Sequence, residues 1–295
     1  MSIEQATPEY SGKMANRATS DMHHISGGHT LVELLIAMGI AAILVTAIFQ
    51  VYQLRQKSHS KQQLAVEMQQ NIRAAISLIK REVRMAGYDP AAKDGQDSDG
   101  DLAIDNDAES AGTGIQTAGR HMIQITFDLD GNIDIEPSER VTYGFAKKYD
   151  ADANGIADAG GAPFGRRTGA GPLTGVAENI QAVGFAYASD HDHDGNLDTD
   201  DGTIDGNIIW AYDSNPGNGN NQLTTNLATG FLLAGPVPLS DIRAVRIWIL
   251  ARTRDPVRGH FDNRTYTVGD RLIESGDKYQ RRLIRTTVYC RNMSL

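Results

Sequence analysis

Three observations predict an α+β fold, in which one long N-terminal helix packs on an antiparallel β-sheet domain with long acidic loops. Residues 34–54 run without a charge and are mostly Leu, Ile, Val, Ala, Met or Phe. An amphipathic stripe continues from that run without a proline or glycine. Beyond Gly87 the helical period fades, and short runs alternate apolar with polar residues between stretches rich in Asp and Gly.

The 21 residues of the apolar run rise about 1.5 Å each as a helix and reach roughly 30 Å, the depth of a bilayer core. No second run of this kind occurs, so one membrane span is expected. The helix does not stop there. Leu64, Met68, Ile72, Ile76, Ile79 and Val83 are spaced 4, 4, 4, 3 and 4 residues apart, which is one face of an α-helix. Gly87 and then Asp89-Pro90 end it. The spacing predicts one helix over 30–86, apolar all round in its first half and amphipathic in its second. The expected organisation is a leader over 1–28, the helix over 29–87 (membrane part 29–54, amphipathic part 55–87), and a β-rich body over 88–295.

Residues 89–118 read as a loop, with eight acidic residues and one lysine between Asp89 and Glu109. Strands are predicted at 121–127, 140–146, 180–188, 208–212, 242–251, 265–268 and 283–289. Their alternation suits a sheet with one face covered, and the amphipathic half of the helix is the expected cover. The formal net charge of −9 argues against a nucleic-acid partner, since phosphate binding needs clustered Lys and Arg. The single cysteine, Cys290, excludes a disulfide within the chain.

The N-terminal string Gly28-His29-Thr30-Leu31-Val32-Glu33-Leu34 is the strongest signal. A secretory signal would be cut after its apolar run, but here the small-residue site, Gly27-Gly28, precedes it. A carboxylate at the head of an apolar span calls for a partner. Cleavage after Gly28 would create an α-amino group at His29, one helical turn from Glu33, and the two would neutralise each other.

This string resembles the signal of type IV prepilins and pseudopilins: Gly, usually Phe, then Thr-Leu-x-Glu and a long apolar helix. Two further stretches, Glu67-Met68-Gln69-Gln70-Asn71-Ile72-Arg73 and Arg81-Glu82-Val83-Arg84-Met85-Ala86-Gly87-Tyr88-Asp89-Pro90, resemble PilW-type minor pilins, as does the ending Val288-Tyr289-Cys290-Arg291-Asn292. The resemblance implies a pilin-like fold and cleavage between Gly28 and His29 by a prepilin peptidase. It implies N-methylation of the new end and a role for Glu33 in subunit docking. The implied partners are other pilins and minor pilins through the N-terminal helix, the prepilin peptidase and an inner-membrane assembly platform. His29 stands where the family usually has Phe. The leader is longer and more acidic than family leaders, and a start at Met14 or Met22 would give an ordinary one. Arg55, Lys57 and Lys61 after the span oppose an N-in topology by charge alone, and the signal string outweighs them.

Aspartate-rich loops supply a second candidate chemistry. Asp190, Asp192, Asp194, Asp198 and Asp201 fall at positions 1, 3, 5, 9 and 12 of an EF-hand-like calcium loop, with Gly195 at 6 and the carbonyl of Asn196 at 7. Leu197 is expected to pack inward, and His191 and His193 to point outward. Seven carboxylates from Asp190 to Asp205 with no Lys or Arg call for a cation, and oxygen ligands favour Ca²⁺ over Zn²⁺. Asp150, Asp152, Asn154 and Asp158 repeat the first nine positions, but Gly161 stands at position 12. Asp128-Leu129-Asp130-Gly131-Asn132-Ile133-Asp134 carries a fragment of the calcium pattern and reads rather as a hairpin turn. Asp97, Asp99 and Asp101 lack a glycine in the right place. The alternative for every such stretch is a solvated acidic turn.

Neither Gly-x-Ser-x-Gly, a Walker loop nor His-Glu-x-x-His occurs, so no enzyme is expected. The leading expectation is a minor pilin acting in pilus assembly, priming or at the tip. The alternatives are a J-like minor pseudopilin of type II secretion and a calcium-dependent adhesin displayed on the filament. The protein is expected in the inner membrane before assembly and in a periplasmic or extracellular pilus afterwards.

Overall fold

A computed structural model describes residues 30–90, 113–132, 134–216 and 218–293. The leader over 1–28, the Gly28-His29 junction, and Asp97, Asp99 and Asp101 lie outside the described residues. Helix α1 spans Leu31–Met85, within one residue of the expected bounds at each end. The chain divides into two units between Leu54 and Arg55, inside α1.

The first unit is the apolar half of α1. Its side chains are exposed along its length, from Leu31 at 75 % to Leu54 at 66 %. The second unit contains the rest of α1 and twelve strands. These are β1 (Gly114–Ala118), β2 (Ile123–Thr126), β3 (Arg140–Gly144), β4 (Ala162–Thr168), β5 (Thr174–Ser189), β6 (Ala211–Tyr212), β7 (Gln222–Asn226), β8 (Leu232–Pro238), β9 (Ile242–Arg252), β10 (Thr265–Val268), β11 (Arg271–Glu274) and β12 (Arg281–Tyr289). Ten of them form one antiparallel sheet, in which β1 to β8 neighbour each other in order and β9 pairs with both β5 and β12. β10 and β11 form a separate hairpin.

The long strand β5 holds this sheet together. Its first half pairs with β4, its second half pairs with β9, and Tyr187 near its end pairs with Ala211 of β6. The sheet is covered on both faces. Met68, Ile72, Ala75, Ile79 and Val83 of α1 share one core with Val245, Ile247 and Ile249 of β9. Ala244, Trp248 and Leu250, the alternate residues of β9, pack with Tyr266, Val268 and Ile273 of the β10–β11 hairpin. The period-2 alternation of side chains sends successive β9 residues to opposite faces, and both faces are dry. The sequence predicted the helical cover but not the hairpin cover.

Two expectations need correction. The loop expected over 89–118 ends early, because 114–118 is strand β1, held to β2 by four paired residues and burying Ile115 and Ala118. Strands β4 and β8 were missed because they contain Pro163, Pro236 and Pro238. Pro163 sits where the β4–β5 register shifts, between Ala162 and Phe164, so the ladder needs no N–H from it. β8 pairs with β7 alone, and an edge strand tolerates proline on its free side.

Gly87 ends α1 for two reasons. Its φ of +78° is left-handed, and a Cβ there would meet Met293 Cγ at 2.8 Å. Its amide donates to Thr126 O at 3.2 Å instead of extending the helix. Asn292 Nδ2 donates to Arg84 O at 3.2 Å, satisfying a carbonyl of the last turn.

Candidate functional site

α1 begins with a cap. Thr30 Oγ1 accepts from the Glu33 amide at 3.2 Å, and Thr30 O accepts from Leu34 N at 3.1 Å. This satisfies a donor that the helix leaves open, and it places Glu33 in the first turn, where the helix dipole favours a carboxylate. α1 is also the one helix long and apolar enough to cross a membrane among the described residues.

The two aspartate loops predicted from sequence fold alike. In each, the amide of position 9 donates back to the carbonyl just before the loop: Asp158 N to Tyr149 O at 2.9 Å, and Asp198 N to Ser189 O at 2.8 Å. In each, the amide of position 2 donates to the position 9 carboxylate: Ala151 N to Asp158 at 3.1 Å, and His191 N to Asp198 at 3.1 Å. In each, the glycine amide at position 6 donates to the first aspartate: Gly155 N to Asp150 at 2.8 Å, and Gly195 N to Asp190 at 3.2 Å. Positions 4 and 6 are left-handed in both, with φ of 55° and 78° at Ala153 and Gly155 and of 58° and 86° at His193 and Gly195. This backbone gathers carboxylates. One oxygen from each of Asp190, Asp192 and Asp194 lies within 4.8 Å of the others, and so does one from each of Asp150, Asp152 and Asp158.

The expected ligand set changes at its far end. Asp201 is not in the Asp190 group. Its carboxylate accepts from Thr203 N at 3.0 Å and Thr203 Oγ1 at 2.9 Å, which hold it below the usual carboxylate range. The cause is a tight turn at 199–203, closed by Thr199 Oγ1 donating to Thr203 O at 2.7 Å. Asp198 also stands outside the group and accepts from Ser189 Oγ at 2.6 Å. The Asn196 side chain folds back on Asp194, with Nδ2 at 3.2 Å from Oδ2. Leu197 packs inward on the hairpin-side core. His191 and His193 do not simply point outward. His191 Nδ1 lies 2.7 Å and His193 Nε2 3.7 Å from the buried carboxylate of Asp241.

A third group forms where the sequence carries a fragment of the calcium pattern and reads rather as a hairpin turn. Asp128 and Asp130 are joined by Glu139, which arrives on the single helical turn Pro137–Glu139. Glu139 is the twelfth residue counted from Asp128, and that count was the available signal. Its oxygens accept from the Leu129 amide at 2.6 Å and the Glu136 amide at 3.1 Å. Burial raises the Glu139 carboxyl above its ordinary value, against those hydrogen bonds.

With this geometry in view, the comparisons with known proteins are specific. Residues 162–292 match the family described as Type IV Pilus-assembly protein W, and residues 24–49 match the prokaryotic N-terminal methylation motif. These two matches support a type IV pilin family, PilW-like. No curated protein matches it. Among solved structures, a type IV-like pilin from Thermus thermophilus is similar, at 15 % identity over 77 % of this chain and 97 % of that chain, with a TM-score of 0.41.

In this PilW-like pilin one interior residue escaped the sequence reading. Glu82 lies on α1 and, though charged, is 5 % exposed. Arg166 of β4 grips it with Nε at 3.1 Å from both carboxylate oxygens and Nη2 at 2.9 Å from one, and the Tyr143 hydroxyl donates to it. Burial and the Glu82 charge push the Tyr143 phenol well above its ordinary value, so it stays a donor. A charge buried on a helix face signals a partner elsewhere in the fold, but sequence alone does not say which.

Proposed function

We propose that this chain is a minor pilin that is clipped between Gly28 and His29, anchored in the inner membrane by residues 29–54, and then packed by the same helix against other pilins. The observation that carries this reading is the capped head of α1, where Glu33 precedes an exposed apolar helix in a chain that matches both the methylation motif and the PilW family. Such a surface does not stay in water, and lipid and neighbouring helices are its two natural environments. After cleavage, the α-amino group of His29 of an incoming or resident subunit meets the Glu33 carboxylate where little water remains to screen them. The prepilin peptidase and the assembly platform are the partners this route requires. A body of this size suits a priming or tip subunit better than a repeating one.

N-terminal sequencing of the mature protein tests the first step. A start at His29 is expected, and an intact leader would refute the reading. For the second step, Glu33→Ala is expected to lower the amount recovered in sheared filaments by about tenfold, the ratio that loss of ~1.4 kcal/mol produces. Normal recovery would remove Glu33 from docking.

A further inference from the structure

We propose that the Asp190 loop is a calcium site, with the carboxylates of Asp190, Asp192 and Asp194 as its charged ligands. Clustered acids alone do not make a site, and the decisive observation is a different one. Asp190 is 6 % exposed, and its Oδ1 is closed to solvent with no hydrogen-bond partner. Its Oδ2 has the Gly195 amide at 3.2 Å. A buried carboxylate oxygen with no donor is costly unless a cation answers it. The other orphaned buried side-chain atoms among the described residues are nitrogens, on Arg167, Arg252, His260 and Arg271, so Asp190 Oδ1 is the one orphaned oxygen.

The protein offers no cation of its own here. Among the described residues no arginine or lysine pairs with Asp190, Asp192 or Asp194. His191 is hydrogen-bonded to Asp241, and His193 lies nearest the same carboxylate, at 3.7 Å. The donors are all oxygen, which disfavours zinc. A loop of carboxylates suits calcium, which accepts six to eight oxygens in loose geometry. Magnesium demands a near-ideal octahedron and gives up water reluctantly.

The same criterion confines the site to one loop. At Asp150 the backbone is equivalent, but both carboxylate oxygens are answered, by Asn154 N at 2.9 Å and Gly155 N at 2.8 Å. At the third group both oxygens of Glu139 accept amides. One ion per chain is therefore expected. It would fasten a loop that starts at the end of β5, where the Asp190 amide already donates to Asp241 O at 2.9 Å.

The test is calcium titration of the full-length, detergent-solubilised chain after chelator treatment, followed by calorimetry and thermal melting. One ion per chain is expected, with the midpoint rising by about 5 °C at a hundredfold excess over Kd. The exposed pair Asp192→Asn with Asp194→Asn is expected to abolish both effects, and Asp152→Asn to leave them intact. No binding at millimolar calcium would overturn the site, as would binding that survives the paired variant. Equal stabilisation by magnesium would overturn the choice of ion, and two or three ions per chain would overturn the confinement to Asp190. None of these outcomes depends on whether the chain enters a pilus.

Discussion

Glu82→Ala is expected to destabilise the folded unit over 55–295 by about 3–4 kcal/mol, the cost of removing the buried acceptor shared by the half-buried Arg166 guanidinium and the buried Tyr143 hydroxyl. The alanine removes the acceptor of three Arg166 contacts and of the Tyr143 hydroxyl at one stroke. Arginine is too basic to give up its proton here, so the guanidinium left behind stays charged. In a unit of this size such a loss lowers the melting midpoint by roughly 10 °C. Glu82→Gln keeps the volume and an acceptor, and should cost less. The double variant Glu82→Ala with Arg166→Ala should recover part of the loss, because the stranded cation leaves with its partner. Thermal melting of the four proteins decides the matter. A single variant within 1 °C of the parent would show that the pair adds nothing.

Asp262→Ala is expected to have the next largest effect, about 3 kcal/mol. Asp262 is 2 % exposed and accepts from Arg264 Nε at 2.9 Å and Tyr266 Oη at 2.8 Å, with Arg281 Nη1 at 3.5 Å. Burial alone would push its carboxyl up, but the hydrogen bonds from Arg264 and Tyr266 and the Arg264 charge outweigh burial and take it down to about 2. The sign follows from that direction. The group binds its proton more weakly folded than unfolded, so its contribution is present above the ordinary carboxylate value and is lost as pH falls through about 2. Melting midpoints should therefore fall from about pH 4 towards pH 2, and Asp262→Asn should flatten that fall. An acid limb of unchanged steepness in the variant would assign the loss to other carboxylates.

The helix was legible in the sequence because its signals are local and repeat. The stripe from Leu64 to Val83 buries Met68, Ile72, Ile79 and Val83 fully and leaves Leu64 and Ile76 half-buried. Strands β9, β10 and β12 were legible because alternation over four or more residues survives without context. β4 and β8 were not, since proline at a bulge or a sheet edge looks the same in sequence as proline in a loop. Which face a strand presents to which cover is a long-range property, and the packing of the β10–β11 hairpin on Trp248 left no local trace. The loops divide in the same way. Backbone turns at Gly155 and Gly195 follow from the motif, whereas the departure of Asp201 depends on Thr199 and Thr203, residues the motif ignores. Glu82 shows the limit most clearly, because its partners lie 61 and 84 positions away.

The contact between Asn292 and the last turn of α1 has a consequence for timing. The two groups are 208 positions apart. A ribosome adding about 5–20 residues per second needs roughly 10–40 s to deliver one after the other. Throughout that interval the helix is complete in sequence, while its carbonyl at Arg84 lacks the Asn292 donor. The last turn of α1 is therefore completed only by a residue made long after it, and Asn292 acts as a late latch on an early element.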